Sequence, residues 1–175
     1  PDVKLIIREE TTQSCLESLS RDKIDGALLA TPLGADGLIE RHLYFEPLSL
    51  FCSDQHPYQK RKKISMKELS AEGLLLLEEG HCFRDQALSF CDMQSETARE
   101  GLDASSLSTL VQMVGAGIGV TLIPEMAVAV ETRSAQVAVN AFPAPEPTRR
   151  VGMIWRKTSP LASNLAEIAD LIRPS

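Results

Sequence analysis

Two cysteines nine positions apart, Cys82 and Cys91, stand in the segment Gly80-His81-Cys82-Phe83-Arg84-Asp85-Gln86-Ala87-Leu88-Ser89-Phe90-Cys91. The segment follows an apolar run at 74–77 and opens a helical pattern. Cys82 is therefore expected near a helix N-terminus, where unpaired backbone N–H groups and the helix dipole favour an anion. His81 and Arg84 bring donors or positive charge to the same place. Each of these effects would lower a thiol pKa and enrich the thiolate, which is the nucleophilic form. Asp85 would orient the site or cap the first turn.

Helix geometry limits what the two sulfurs can do. Nine residues of continuous helix place the Cα atoms about 13.5 Å apart and about 180° around the axis from one another. A disulfide needs Cα atoms roughly 4.4–6.8 Å apart, so the pair cannot bridge while such a helix is intact. Oxidation of Cys82 to a sulfenic acid, resolved by Cys91, would require the segment to unwind and repack, displacing Leu88 and Phe90. Free cysteines are also commonly buried small hydrophobes, and the spacing leaves both readings open. A zinc site would need two further ligands, and Cys15, Cys52, His42 and His56 show no paired ligand spacing. No Gly-rich phosphate loop and no Gly-x-Ser-x-Gly elbow is present; Gly115-Ala116-Gly117-Ile118-Gly119 lies at a helix end before a strand, the wrong order for a dinucleotide site. Neither a metal nor a cofactor is expected.

The elements that must position this segment read as α/β. Val3-Lys4-Leu5-Ile6-Ile7 reads as a strand, Thr11 or Thr12 caps a helix carrying Leu16 and Leu19, and Ala27-Leu28-Leu29-Ala30 reads as a second strand. That order is a βαβ unit and predicts a parallel sheet. Leu48-Ser49-Leu50-Phe51-Cys52 is a further strand, His56-Pro57-Tyr58 a turn, and Ser65-Met66-Lys67-Glu68 a capping box. Ser106 caps a helix bearing Leu107, Leu110, Val111 and Val114, which Gly115 and Gly117 stop before a strand at 118–123. Val137-Ala138-Val139 and 151–155 are later strands, 142–147 is a Pro-rich crossing segment, and Leu161, Leu165, Ile168, Leu171 and Ile172 stripe a final helix. Ligands of such sheets bind in loops at the carboxyl ends of strands.

Composition sets the outer bounds. With 175 residues, 43% of them hydrophobic, the chain has the balance of an ordinary soluble domain or two small lobes. A net charge of −6 argues against direct contact with duplex DNA, which needs clustered Lys and Arg; the one basic cluster, Lys60-Arg61-Lys62-Lys63, reads as a solvated loop. Asp2, Lys4, Arg8, Glu9 and Glu10 interrupt any signal-peptide core, and the uncharged stretch 104–124 is too polar to span a membrane. Four cysteines are too few for a disulfide scaffold, so the cytoplasm is the expected compartment.

Taken together these residues resemble the effector domains of LysR-type transcriptional regulators over essentially the whole chain. The general features are Leu16-(x)2-Leu19 followed by Lys23-Ile24-Asp25-Gly26-Ala27, His56-Pro57, the stretch 114–120, Leu122-Ile123-Pro124, and Arg149-Arg150. Gly80-His81-Cys82-(x)-Arg84-Asp85-Gln86-Ala87-(x)3-Cys91 is more specific, and resembles the redox centre of the hydrogen-peroxide-sensing OxyR group within that family. The resemblance implies that Cys82 is the peroxidatic cysteine and Cys91 its resolving partner. It implies that His81 helps activate peroxide or thiol, that Asp85 belongs to the same hydrogen-bonded site, and that the Thr12 hydroxyl helps hold peroxide. Arg149 matches a position affecting the redox response, although Arg-Arg there is shared by non-redox relatives.

It further implies two periplasmic-binding-protein-like, doubly wound subdomains joined by crossing strands: residues 1–45 with 150–175, and residues 46–149. Relative to the family pattern the chain begins after the winged helix-turn-helix, its linker, and the first strand and helix of the first subdomain. DNA contact is thus expected only through an attached domain. A homodimer or homotetramer, RNA polymerase and a thiol reductant are the further partners implied; a membrane is not. Two other readings compete. A non-redox LysR-type domain would hold a small carboxylate with Thr12 and the Ser105-Ser106 helix start, and a thiol peroxidase would turn over continuously with a reductant.

Overall fold

A computed structural model describes residues 3–61, 63–65, 68–69, 74–79, 81–90 and 102–173. Gly80, Cys91 and the side chain of Cys82 lie outside the described residues. In chain order the elements are α1 (Thr12–Ser20), β1 (Gly26–Thr31), β2 (Leu38–Ser53), a 3-10 turn (Pro57–Lys60), α2 (Cys82–Phe90), α3 (Leu107–Gly115), β3 (Thr121–Pro124), α4 (Glu125–Glu131), β4 (Val137–Asn140), β5 (Thr148–Arg156) and α5 (Ala162–Ile172).

The strand order is β1-β5-β2-β3, with β4 also on β2. All the named strands pair antiparallel, which corrects the parallel sheet expected from the sequence. The reason lies at the start of the chain: residues 3–7 form no strand, and Ile7 is 88% exposed, so the first member of the expected βαβ unit has no sheet partner among the described residues. β1 pairs instead with β5, Gly26 opposite Trp155 and Thr31 opposite Arg150. Among the described residues parallel pairing survives as isolated bridges, Leu74 to Val120, Leu77 to Ala104 and Lys63 to Ala141.

Strand β2 is longer than the run 48–52 that its apolar residues mark. Its first half pairs with β5, Leu38 opposite Arg156 through Pro47 opposite Thr148, with an irregularity between His42 and Tyr44. The second half pairs with β3 and β4. Polar residues at 40–42 and Pro47 hide the earlier part from a period-2 reading, because cross-strand partners rather than intrinsic propensity hold it.

Side chains alternate across β5 as a pleated strand requires. Met153 and Trp155 pack with Leu43, Leu165 and Ala169 of α5, whereas Ile154 packs with Leu19 of α1 and Leu29. The largest cluster is separate and gathers Leu48, Leu50 and Phe51 of β2, the run 74–77, Leu110, Val111 and Val114 of α3, Leu122 and Ile123 of β3, and Phe83, Ala87 and Leu88 of α2. Fully burying each such aliphatic or aromatic side chain contributes about 1.5–3 kcal/mol relative to exposure.

Local signals at the ends of helices hold. The Thr11 hydroxyl accepts from the Ser14 N–H at 3.3 Å, and Ser106 Oγ accepts from the Thr109 N–H at 3.2 Å. The capping box closes both ways, the Ser65 N–H donating to Glu68 Oε2 at 3.0 Å and the Glu68 N–H to Ser65 Oγ at 3.4 Å. Helix α3 ends on Gly117 at φ +77°, with the Ile118 N–H on Met113 O and the Gly117 N–H on Val114 O. This is a Schellman motif, and a side chain at that φ would be strained. The final helix departs from its expected stripe: Leu165 and Ala169 are buried, but Leu171 is 84% exposed. Helix α4, which follows Pro124 directly, went unseen in the sequence because it is only seven residues long.

Gly152 is where the sheet is tightest. A Cβ there would meet Thr31 Cγ2 at 2.8 Å and the backbone oxygen of Arg41 at 3.1 Å. Gly152→Ala is therefore expected to destabilise the fold by about 1–3 kcal/mol. The urea midpoint checks it, and an unchanged midpoint would show that the three strands part freely.

Candidate functional site

Helix α2 begins at Cys82, and its first turn is tied by the Arg84 N–H to His81 O at 2.9 Å. The expected placement at a helix start therefore holds for the Cys82 backbone. Phe83, Ala87 and Leu88 turn one face of the helix into the large core, so its position is set by apolar burial at helical spacing.

The charged neighbours of Cys82 differ in what they do. Arg84 is buried, 8% exposed, and donates to Leu77 O at 2.7 Å while pairing with Asp103 Oδ1 at 2.8 Å. The charge expected beside Cys82 is thus itself seated on Leu77 and Asp103. Asp85 sits exposed in the first turn of α2, and it is not among the residues lining the neighbouring cleft.

That cleft has a volume of about 430 Å³. It brings together Thr12 from the first turn of α1, His81 just ahead of α2, and Arg149 from β5, three residues widely separated in sequence. Leu29, Phe83, Val151 and Ile172 give it apolar walls. The distribution fits a small-ligand site, apolar for the most part with a few convergent polar groups.

Arg149 is held in place from below. Its Nε donates to Glu46 Oε2 at 2.5 Å, and its guanidinium carbon lies 5.6 Å from the centre of the Phe83 ring. Glu46 is only 3% exposed and also accepts the Met126 N–H at 3.1 Å, at the start of α4. A buried carboxylate needs such partners, since an unpaired one would carry a large desolvation cost. Burial, with the Glu46 charge adding to it and Arg149 opposing, raises the pKa of Tyr44, which also lines the cleft.

Glu46, Tyr44 and Glu10 are site residues that the sequence did not announce. A charged residue inside an otherwise apolar strand stretch was the available signal for Glu46. Glu10 lines the cleft, and its Oε2 accepts from Ser14 Oγ at 2.7 Å and Ser18 Oγ at 3.3 Å. That puts a carboxylate at the N-terminal end of α1. The two serines of the expected anion seat, Ser105 and Ser106, do not line the cleft.

The remaining cysteines and histidines have structural work. His42 Nδ1 accepts from Arg150 Nε at 3.2 Å, and His56 Nδ1 accepts from the Tyr58 N–H at 3.2 Å. Among the described residues no cluster of three His, Cys, Asp or Glu could hold a metal ion, and no helix is long and apolar enough to cross a membrane. Cys52 is fully buried, with its Sγ 3.5 Å from Asn140 Oδ1.

The whole chain, residues 1–175, matches the LysR substrate binding domain family, and it belongs to that family. Within it, similarity runs to OxyR. The chain is 37% identical over 173 residues to the DNA-binding transcriptional dual regulator OxyR of Escherichia coli strain K12, covering 99% of this chain and 57% of that protein. A cysteine-to-serine variant of OxyR from Corynebacterium glutamicum, solved with H2O2 bound, superposes with a TM-score of 0.93 at 31% identity, covering 99% of this chain and 55% of that one. The oxidised form of OxyR superposes at 0.86 with 37% identity, covering 99% and 82%. The chain spans about half the length of the curated relatives it matches. The periplasmic-binding-protein-like α/β class read from the sequence agrees with these neighbours.

Burial pushes the Cys52 thiol up from 9.0 to about 11. The folded-state pKa thus lies above the unfolded one, so the stabilisation is complete below about pH 9 and is lost as pH rises through about 11. Iodoacetamide at pH 8 is expected to leave Cys52 unmodified in native protein and to label it in urea, read by peptide mass. Native labelling of Cys52 would mean that this part of β2 opens.

Proposed function

We propose that this chain is the peroxide-sensing regulatory domain of a LysR-type transcriptional regulator. The observation that carries it is the convergence of Thr12, His81 and Arg149 on one cleft beside the helix that starts at Cys82. The name of the Corynebacterium relative, bound to H2O2, and the existence of an oxidised form among the neighbours support the same reading.

The Cys82 thiolate attacks one oxygen of H2O2; the O–O bond breaks, Cys82 becomes a sulfenic acid, and the leaving hydroxide takes a proton to become water. The Cys91 thiol then displaces the sulfenic oxygen as a second water, and one S–S bond closes. Thr12 and His81 hold the peroxide by hydrogen bonds, His81 serves proton movement at the reacting oxygen, Arg149 keeps the cleft wall in place, and Asp85, exposed in the first turn of α2, favours the helix start by its charge. Closing the bond unwinds α2, and the loss of that packed element is transmitted to a homo-oligomer interface and so to an attached DNA-binding domain. RNA polymerase would be the downstream partner. A dithiol reductant reverses the switch, and the cycle is a stoichiometric signal rather than turnover. Transcription regulators work where the DNA is, so the compartment is the cytoplasm.

We assign residues 1–45 with 150–175 to one subdomain and 46–149 to the other. The separation of the large core cluster from the two smaller ones supports the division, with β2 and β5 as the crossing strands. A small carboxylate effector fits the cleft less well: Glu46 pairs with Arg149, and Glu10 already places a negative charge at the start of α1.

Equimolar H2O2 added to reduced protein is expected to give one disulfide joining Cys82 to Cys91, with none in Cys82→Ser, as mapped by peptide mass spectrometry. Thr12→Val should slow the reaction about tenfold, the worth of one hydrogen bond to the reacting molecule. If both thiols stay free at several equivalents of peroxide, the redox reading is wrong.

A further inference from the structure

The cysteine helix is fastened by an ion pair whose acidic partner, Asp103, lies outside the cysteine motif. Arg84, two residues into α2, reaches away from the helix to Leu77 O at 2.7 Å and Asp103 Oδ1 at 2.8 Å. Asp103 is held in turn by its neighbour: the Ala104 N–H donates to Leu76 O at 3.0 Å and the Glu78 N–H donates to Ala104 O at 3.0 Å. The two chain ends that flank the stretch 82–103 are thereby zipped together, and Arg84 staples α2 onto the zipper. Arg84 is 8% exposed, so its charge depends on these acceptors rather than on water.

We propose that Asp103, acting through Arg84, is a positioning residue that sets the redox balance of the Cys82–Cys91 couple by stabilising the dithiol form. This rests on the reading of those two cysteines as the redox pair. Nine steps of continuous helix advance a chain about 13.5 Å, roughly twice the Cα span a disulfide accepts, so a helix that begins at Cys82 has to be remade for the pair to close. Arg84 lies inside the span that has to be remade, and unwinding α2 from its start withdraws the guanidinium from Leu77 O and Asp103. The ion pair is then present in the dithiol form and absent in the disulfide form. An interaction made by one redox state alone shifts the potential; an interaction made by both does not.

Removing the Asp103 charge should therefore favour the disulfide. In the equilibrium, the disulfide takes two electrons and two protons from a dithiol such as dithiothreitol, giving two protein thiols and the cyclic disulfide of the reductant. With Asp103→Asn the equilibrium is expected to move about tenfold toward the protein disulfide, a potential about 30 mV more negative for this two-electron couple. Asp103→Glu, which keeps the charge, should return most of the way to the parent value. Arg84→Lys, whose single ammonium matches the two acceptors less well than a planar fork, should shift in the same direction as Asp103→Asn.

The test equilibrates the whole chain in graded mixtures of reduced and oxidised dithiothreitol, traps thiols by alkylation, and counts the Cys82–Cys91 disulfide by mass. A purely structural role for the ion pair would lower stability equally in both redox states and leave the potential where it was. An unchanged potential in Asp103→Asn overturns the proposal, and would mean that α2 unwinds from its far end with Arg84 still seated. A faster or slower peroxide reaction at constant potential also overturns it, in favour of Arg84 acting on the thiol. If the parent chain forms no Cys82–Cys91 disulfide in any mixture, the redox reading itself fails and takes the proposal with it.

Discussion

The pairing of Glu46 with Arg149 is the interaction around which the site is organised. The two residues stand opposite each other in the register of β2 and β5, so a single cross-strand position brings a buried carboxylate against a guanidinium. The same carboxylate takes the Met126 N–H in the first turn of α4, and the guanidinium lies against Phe83 of α2. One charge pair thus ties the long strands, the helix after β3 and the cysteine helix to one wall of the cleft. Taking either partner away would leave the other charged and buried, which is why the arrangement is rigid.

Against that rigid wall, α2 is a helix whose residence depends on a few separable contributions. Its apolar face packs through Phe83, Ala87 and Leu88, its basic residue is seated on Leu77 and Asp103, and Cys82 opens its first turn. At nine residues it is too short to persist in water without tertiary packing. Covalent chemistry that removes one of these contributions can therefore release the others together.

With a net charge of −6 the chain offers no cationic face for a phosphate backbone, and its chemistry gathers instead in the cleft. The cleft is small and mostly apolar, with its cation paired and a carboxylate at the start of α1. It suits a compact, uncharged ligand better than an anion.

Much of this was legible in the residues themselves. Helix caps at Thr11 and Ser106, the capping box at Ser65 and Glu68, the Gly117 stop and the strands around Leu50 and Ile154 depend on neighbours within a few positions, and local chemistry determines them. The start of α2 at Cys82 was likewise readable, because a change from an apolar run to helical spacing is a local feature. What the tertiary structure alone decided was pairing at a distance. The direction of the sheet turned on whether residues 3–7 found a partner, the first half of β2 was held by β5 rather than by its own propensity, and Arg84 met Asp103, nineteen positions on. Glu46 showed its importance only when Arg149 arrived opposite it. A sequence states which groups carry charge and which shun water; which charge meets which is settled when the chain closes on itself, because that energy depends on distance and burial rather than on order along the chain.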